Sequence, residues 1–233
     1  MEGNKVEKYK YKILDIQPAF SEKNLSNLGY FCVGVSMNNA NYFGNRLQPF
    51  VEWLEQKSDN TIIVIGDYLH RFNEKIFNNV TDDEAIRKGL ALGQLFIKKL
   101  NECKIQANKF EIIHWETLIN DVEIIEEYKK ICHFFITNLL FRDEILASCD
   151  DFVFRQVEKG NNIGVSYEEA IKLSSNYILE EMAVFGILAK RGYKVQVYPG
   201  TQLSIFKALG NGVFPEVDAG LKHGIFVDLK IKK

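Results

Sequence analysis

Six short apolar runs recur along the chain, at Tyr11 to Ile16, Phe31 to Val35, Thr61 to Gly66, Phe110 to Trp115, Lys194 to Tyr198 and Ile225 to Leu229, with helical patterns between them. This alternation restricts the fold more than any other feature. Strands separated by helical crossovers pair in parallel, and a parallel sheet needs helices on both faces to bury it. Pro49-Phe-Val-Glu-Trp-Leu-Glu55 supplies one crossover, with Pro49 in a first helical turn where its missing N–H costs no hydrogen bond. Thr81-Asp-Asp-Glu84 and Ser166-Tyr-Glu-Glu169 are capping boxes. The first opens a helix towards Cys103, the second a helix that closes at Arg191-Gly192. The expectation is an α/β fold with a mainly parallel sheet.

With 233 residues the chain can bury one sizeable core, and no Pro/Gly/Ser-rich tract or long charge block divides it, so residues 1–233 are expected to form a single domain. The N-terminal stretch lacks an apolar signal core, and no apolar run is long enough to cross a bilayer, which points to a cytoplasmic protein. Cys32, Cys103, Cys132 and Cys149 are scattered and suit structural thiols, and no His or Cys pair has metal-ligand spacing. The net charge of −2 excludes a protein basic throughout but not local basic patches. Lys5, Lys8, Lys10 and Lys12 crowd one end of the chain and Lys230, Lys232 and Lys233 the other; each group alone reads as a solvated terminus. No phosphate-binding glycine loop is present, so no nucleotide cofactor is expected.

Ligands in parallel sheets collect at the carboxyl ends of strands, which singles out Ser36, Asp67 and Tyr198. Ser36 reads equally as a turn residue or helix cap. Gly34-Val-Ser36-Met-Asn38 is only half of a Gly-x-Ser-x-Gly elbow, and none of His70, His114, His133 and His223 has a spacing that marks it as the base. Gly34 would let a ligand approach the backbone, and Asn39 adds a polar donor in the loop. Tyr177 and Glu181 lie four residues apart, on one helix face continued by Val184 and Leu188. Glu181 therefore points along an apolar stripe, as a structural ion pair or as a site residue, whereas Glu180 is expected in solvent. Val33, Ile65 and Met182 are candidates for a pocket wall, with a core role the alternative. Arg87 and Lys98, and likewise Lys88 and Lys99, lie eleven residues apart on one helix, a stripe that suits phosphates or plain solvent.

This constellation resembles the cyclodipeptide synthases, which make cyclic dipeptides from aminoacyl-tRNAs. Tyr30-Phe-Cys-Val-Gly-Val-Ser36 is similar to the family motif His-x-aliphatic-aliphatic-Gly-aliphatic-Ser, with Ser36 at the nucleophile position. Tyr177-Ile-Leu-Glu-Glu181-Met-Ala183 is similar to Tyr-aliphatic-x-x-Glu-x-Pro, and Tyr198 matches a third catalytic tyrosine. Tyr30, Cys32 and Ala183 depart from the motifs without removing a reacting group. Tyr198-Pro199 is similar to the branch with Pro after this tyrosine, while Asn39 or Asn41 aligns with the loop asparagine of the other branch.

The resemblance implies a Rossmann-like catalytic domain similar to that of class I tyrosyl- and tryptophanyl-tRNA synthetases, acting as a monomer on two aminoacyl-tRNAs, with no ATP, cofactor, metal or membrane. Ser36 would take the first aminoacyl group as an ester, and a second aminoacyl-tRNA would donate its amine. Tyr177 and Glu181 would hold the first ammonium, Glu181 would then accept a proton, and Tyr198 would assist ring closure. Gly34, Asn39, Asp67, Val33, Ile65 and Met182 would contact substrate, and Lys98, Lys99, Arg87 and Lys88 the tRNA. Two rivals stand beside this reading: a serine esterase or acyltransferase using Ser36, His223 and Asp67, and a tRNA-binding module without catalysis.

Overall fold

The chain is described by a computed structural model covering residues 9–19, 25–28, 30–217, 219–222 and 224–232. Lys5, Lys8, His223 and Lys233 lie outside the described residues. All six apolar runs form strands: β1 (Lys10–Gln17), β2 (Tyr30–Val35), β3 (Asn60–Ile65), β4 (Phe110–His114), β5 (Val195–Tyr198) and β6 (Ile225–Lys232). They make one sheet in the order β1-β6-β5-β2-β3-β4, parallel except for the edge strand β1, which runs antiparallel to β6. The helices are α1 (Leu47–Lys57), α2 (Arg71–Asn78), α3 (Asp82–Glu102), α4 (Trp115–Ile119), α5 (Val122–Thr137), α6 (Leu139–Glu158), α7 (Tyr167–Lys190), α8 (Ser204–Gly210) and α9 (Ala219–Lys222). Among the described residues no helix is long and apolar enough to cross a membrane.

The pleat sorts each strand between two cores. Phe31, Val33, Val35, Ile63 and Ile65 face α1 and α3, while Cys32, Ile62 and Val64 face a thicker layer built from α2 and α4 to α8. Continuous apolar runs such as Ile62-Ile-Val-Ile65 are what a strand covered on both sides requires. Both capping boxes form: Thr81 Oγ1 accepts from the Glu84 N–H at 3.4 Å, and Ser166 Oγ from the Glu169 N–H at 3.2 Å. From Ala170 to Ala189, α7 is buried on nearly every side, because its sequence is apolar nearly all round. It ends where Gly192 takes φ 103°, a left-handed turn that favours glycine.

Helix α3 lies against the loop after β3 through two glycines one turn apart. A Cβ on Gly89 would stand 2.2 Å from the Asp67 carbonyl oxygen, and one on Gly93 would stand 2.6 Å from the Asp67 Cβ. Alanine favours a helix interior over glycine by about 1 kcal/mol. Here the clash is with backbone, which cannot rotate away, and overpacking of that kind costs about 1–3 kcal/mol. The clash should win: Gly89→Ala is expected to lower the urea midpoint, a net loss of up to about 2 kcal/mol. Gln94→Ala, on the exposed side of α3, should stay within about 0.5 kcal/mol of the parent.

Candidate active site

A cavity of about 190 Å³ opens beyond the carboxyl ends of β2 and β5, between the sheet and α7. Its sheet wall follows the pleat. Cys32, Gly34 and Ser36 alternate towards it along β2, and Gln196 and Tyr198 do so along β5. Cys32 and Gln196 are register partners, so Tyr198 stands level with Gly34, one pleat below Ser36. The helix wall is one stripe of α7, Ser174, Tyr177, Ile178, Glu181 and Phe185, whose spacings of three and four residues keep them on one side. Ser36, Tyr177, Glu181 and Tyr198, the four groups the motifs single out, therefore line one cavity.

Two adjacent glutamates have opposite fates. Glu180 is buried, not solvated as expected: Arg71 donates from Nη1 to its Oε1 at 3.0 Å and from Nη2 to its Oε2 at 2.5 Å, and the Trp115 indole N–H donates to Oε1 at 2.7 Å. The reason is that α7 has no solvent face at this depth. Glu181 faces the cavity and has no hydrogen bond or ion pair with any described residue, and desolvation alone pushes its carboxyl up to about 8. Burial, followed by the charge of Glu181, pushes the Tyr177 phenol well above its ordinary value, while a hydrogen bond with Ser36 opposes the shift. The Tyr198 phenol is raised for the same two reasons.

The loop after β2 is tied to the end of β5. The Asn39 and Asn41 amides both donate to the Pro199 carbonyl, at 3.3 and 2.6 Å, and Asn39 Oδ1 accepts from the Asn41 N–H at 2.9 Å. Asn39 thus positions Ser36 against Tyr198, while Asn38 is the loop asparagine that lines the cavity. Gly34 lines the cavity and also admits a protein group closely: a Cβ there would lie 2.4 Å from Cζ of Phe185.

Several expected contacts are not brought to the cavity. Val33 and Ile65 point to the opposite face of the sheet, because they are odd members of strands whose even members face α7, and Met182 is wholly in the core. Asp67 is buried, accepting from the Tyr68 N–H at 2.8 Å and the Trp115 N–H at 3.3 Å and bonded to His114 Nδ1 at 2.6 Å. That bond engages His114, and among the described residues no histidine lines the cavity; His223, the base of the esterase reading, lies outside them. The α3 stripe is partly neutralised. Lys88 lies 3.1 Å from Glu84 and 3.5 Å from Glu74, and Lys99 lies 2.8 Å from Glu102, whereas Arg87 and Lys98 are exposed. The motif departures are benign: Tyr30 is at the far end of β2 against Tyr193, and Ala183 is core.

Strand alternation alone could have found Gln196, two residues before Tyr198, but no motif marks it. It is 5% exposed, and its Nε2 is buried without a hydrogen-bond partner among the described residues; the Ser174 hydroxyl is orphaned in the same way. An orphaned buried polar group costs about 1–3 kcal/mol. Gln196→Leu, close in shape but apolar, is therefore expected to raise the thermal midpoint of the ligand-free protein; an unchanged or lower midpoint would mean the amide is satisfied in solution.

No protein-family model matches the chain, and no curated protein matches it. Solved structures do match. A cyclodipeptide synthase (CDPS) from Fluoribacter dumoffii has a TM-score of 0.77 at 20% identity, covering 97% of this chain and 100% of that one. The enzyme from Candidatus Glomeribacter gigasporarum, bound to Phe-tRNAPhe, has 0.59 at 22% identity, covering 86% of each chain. A Mycobacterium tuberculosis protein, described as demonstrating that cyclodipeptide synthetases are related to type I tRNA synthetases, has 0.69 at 14% identity, covering 93% of this chain and 92% of that one. The chain has the Rossmann-like fold of the cyclodipeptide synthases, related to that of the class I tRNA synthetases.

Proposed function

We propose that this chain is a cyclodipeptide synthase that joins the aminoacyl groups of two aminoacyl-tRNAs through an ester on Ser36. The observation that carries the reading is Glu181, a carboxylate facing a cavity that Arg155 also lines, yet without an ion pair or hydrogen bond among the described residues. A buried carboxylate without a partner costs several kcal/mol when ionised, and an ammonium ion from a ligand removes that cost. The α-ammonium of an aminoacyl ester bound with its carbonyl at Ser36 is such an ion. The Phe-tRNA held by the Glomeribacter enzyme supports aminoacyl-tRNA as the substrate class.

Attack of the Ser36 oxygen on the first ester forms aminoacyl-Ser36 and releases the first tRNA, whose ribose oxygen takes up the serine proton. One ester replaces another, so the step needs no ATP. Glu181 then removes a proton from the ammonium of the residue on Ser36. This makes the Ser36-bound residue the nucleophile, the reverse of the direction expected from sequence, because Glu181 stands beside the first substrate's amine. That amine attacks the ester of the second aminoacyl-tRNA, an amide forms, and the second tRNA leaves with a proton. The new terminal amine attacks the Ser36 ester, the ring closes, and Tyr198 relays a proton to the departing serine oxygen.

Intact-mass measurement after mixing with aminoacyl-tRNA should show an aminoacyl adduct on the wild type and none on Ser36→Ala, and medium from bacteria expressing the wild type alone should contain a new diketopiperazine. Absence of both would sink the reading. Glu181 sets the pH dependence. Its folded value of about 8 lies above the ordinary 4.5, so the folded state holds the extra proton between these values. Stability from this group is complete below pH 4.5 and is lost as pH rises through about 8. Wild type should therefore lose stability relative to Glu181→Gln across that window. Formation of the acyl adduct at subsaturating aminoacyl-tRNA, which starts from ligand-free Glu181, should rise with pH towards a plateau above about 8, a limb that Glu181→Gln lacks.

A further inference from the structure

The antiparallel pairing of β1 with β6 sets lysines from opposite ends of the chain against each other. Lys10 faces Lys232 and Lys12 faces Lys230, and all four are exposed. Their neighbours Tyr11, Ile13, Leu229 and Ile231 turn to the α1 side of the sheet, so the lysines stand on the other side, the one that carries the cavity. None has a carboxylate partner among the described residues. The nearest acids of the two strands, Asp15 and Asp228, are instead engaged by Lys207 at 3.1 and 2.9 Å.

Like charges placed directly opposite across a ladder are destabilising. Lysines on β1 discourage stray pairing at an exposed edge, but β6 is an inner strand, and Lys230 and Lys232 do not serve that purpose. Position supplies another reason. Asp228 pairs with Tyr198 at the last residue of β5, so Lys230 and Lys232 run about 7 and 13 Å past Tyr198. Lys230 is thus level with Ser36 and two strands away, about 10 Å across the sheet.

We infer that Lys10, Lys12, Lys230 and Lys232 form a phosphate-binding ridge beside the cavity mouth that holds the RNA backbone of an aminoacyl-tRNA while its ester end reaches Ser36. The inference rests on the proposed function for the identity of the RNA. A single flexible cation would serve a free phosphate, whereas two cross-strand pairs about 7 Å apart along the strand suit a backbone of successive phosphates. On α3, by contrast, Lys88 and Lys99 are already engaged by glutamates.

The test compares wild type, the variant with Lys10, Lys12, Lys230 and Lys232 all changed to Ala, and the variant with all four changed to Arg, first in binding uncharged tRNA from 50 to 200 mM salt. Four phosphate contacts make log K fall with log salt at a slope near −3.6, about a hundredfold over that range. The Ala variant should lose at least about tenfold in affinity at low salt with a slope shallower by about 3, and the Arg variant should keep both. Ser36 acylation from a small aminoacyl ester of a single nucleoside, which carries no phosphate, should be equal in all three, because the cavity is untouched. Equal tRNA binding by wild type and the Ala variant, no tRNA binding by wild type, or loss of small-ester acylation in the Ala variant would each overturn the ridge. Intact ridge-dependent binding with no Ser36 adduct from any donor would leave the ridge standing and refute the proposed chemistry instead.

Discussion

The clasp of Glu180 by Arg71 and Trp115 sets the rotation of α7, and most of the site follows from that rotation. A bidentate guanidinium and an indole N–H satisfy a carboxylate that would otherwise cost several kcal/mol to bury. Turning the helix by one residue, about 100°, would leave Arg71 and Trp115 facing an apolar side chain and expel Glu180 into the cavity. Because the clasp joins α2, α4 and α7, it also fixes how that layer sits over the sheet. Glu181, one position on, is left facing the cavity with no partner among the described residues, which is the state in which a carboxylate can receive a substrate cation.

The opposite wall depends on the pleat. Alternation along β2 turns Cys32, Gly34 and Ser36 to α7 and sends Val33 and Val35 to the other core. The two amides on the Pro199 carbonyl then hold the Ser36 loop to the end of β5, so that a serine, two tyrosines and a glutamate more than 140 residues apart in sequence at the extremes share one space. Phe185 seated on Gly34 closes the cavity at depth, which makes that glycine a packing requirement of the helix as well as part of the cavity wall.

Charge follows a similar logic of neighbours. Lys88 and Lys99 of α3 find glutamates one turn away on their own helix or on α2, whereas among the described residues Lys10, Lys12, Lys230 and Lys232 have no carboxylate partner. The first set is partly neutral in the folded protein. The second is a concentrated positive feature at the same end of the sheet as Ser36.

The strands, both capped helices and the four side chains Ser36, Tyr177, Glu181 and Tyr198 were legible in the sequence, since they depend on period-2 alternation, on caps within one turn and on short motifs, all of which act over a few neighbouring residues. Tertiary structure decided the rest. Glu180 is clasped rather than solvated because its partners lie 65 and 109 residues away. Asp67 is taken by His114, Val33, Ile65 and Met182 belong to the core, and Gln196 lines the cavity, each through which face of its element meets which layer. The terminal lysines, unremarkable as two separate runs, become a ridge only when β1 and β6 are paired. These outcomes depend on the packing of segments distant in sequence, where burial and the cost of an unpaired polar group select one partner among many, and no local pattern encodes that choice.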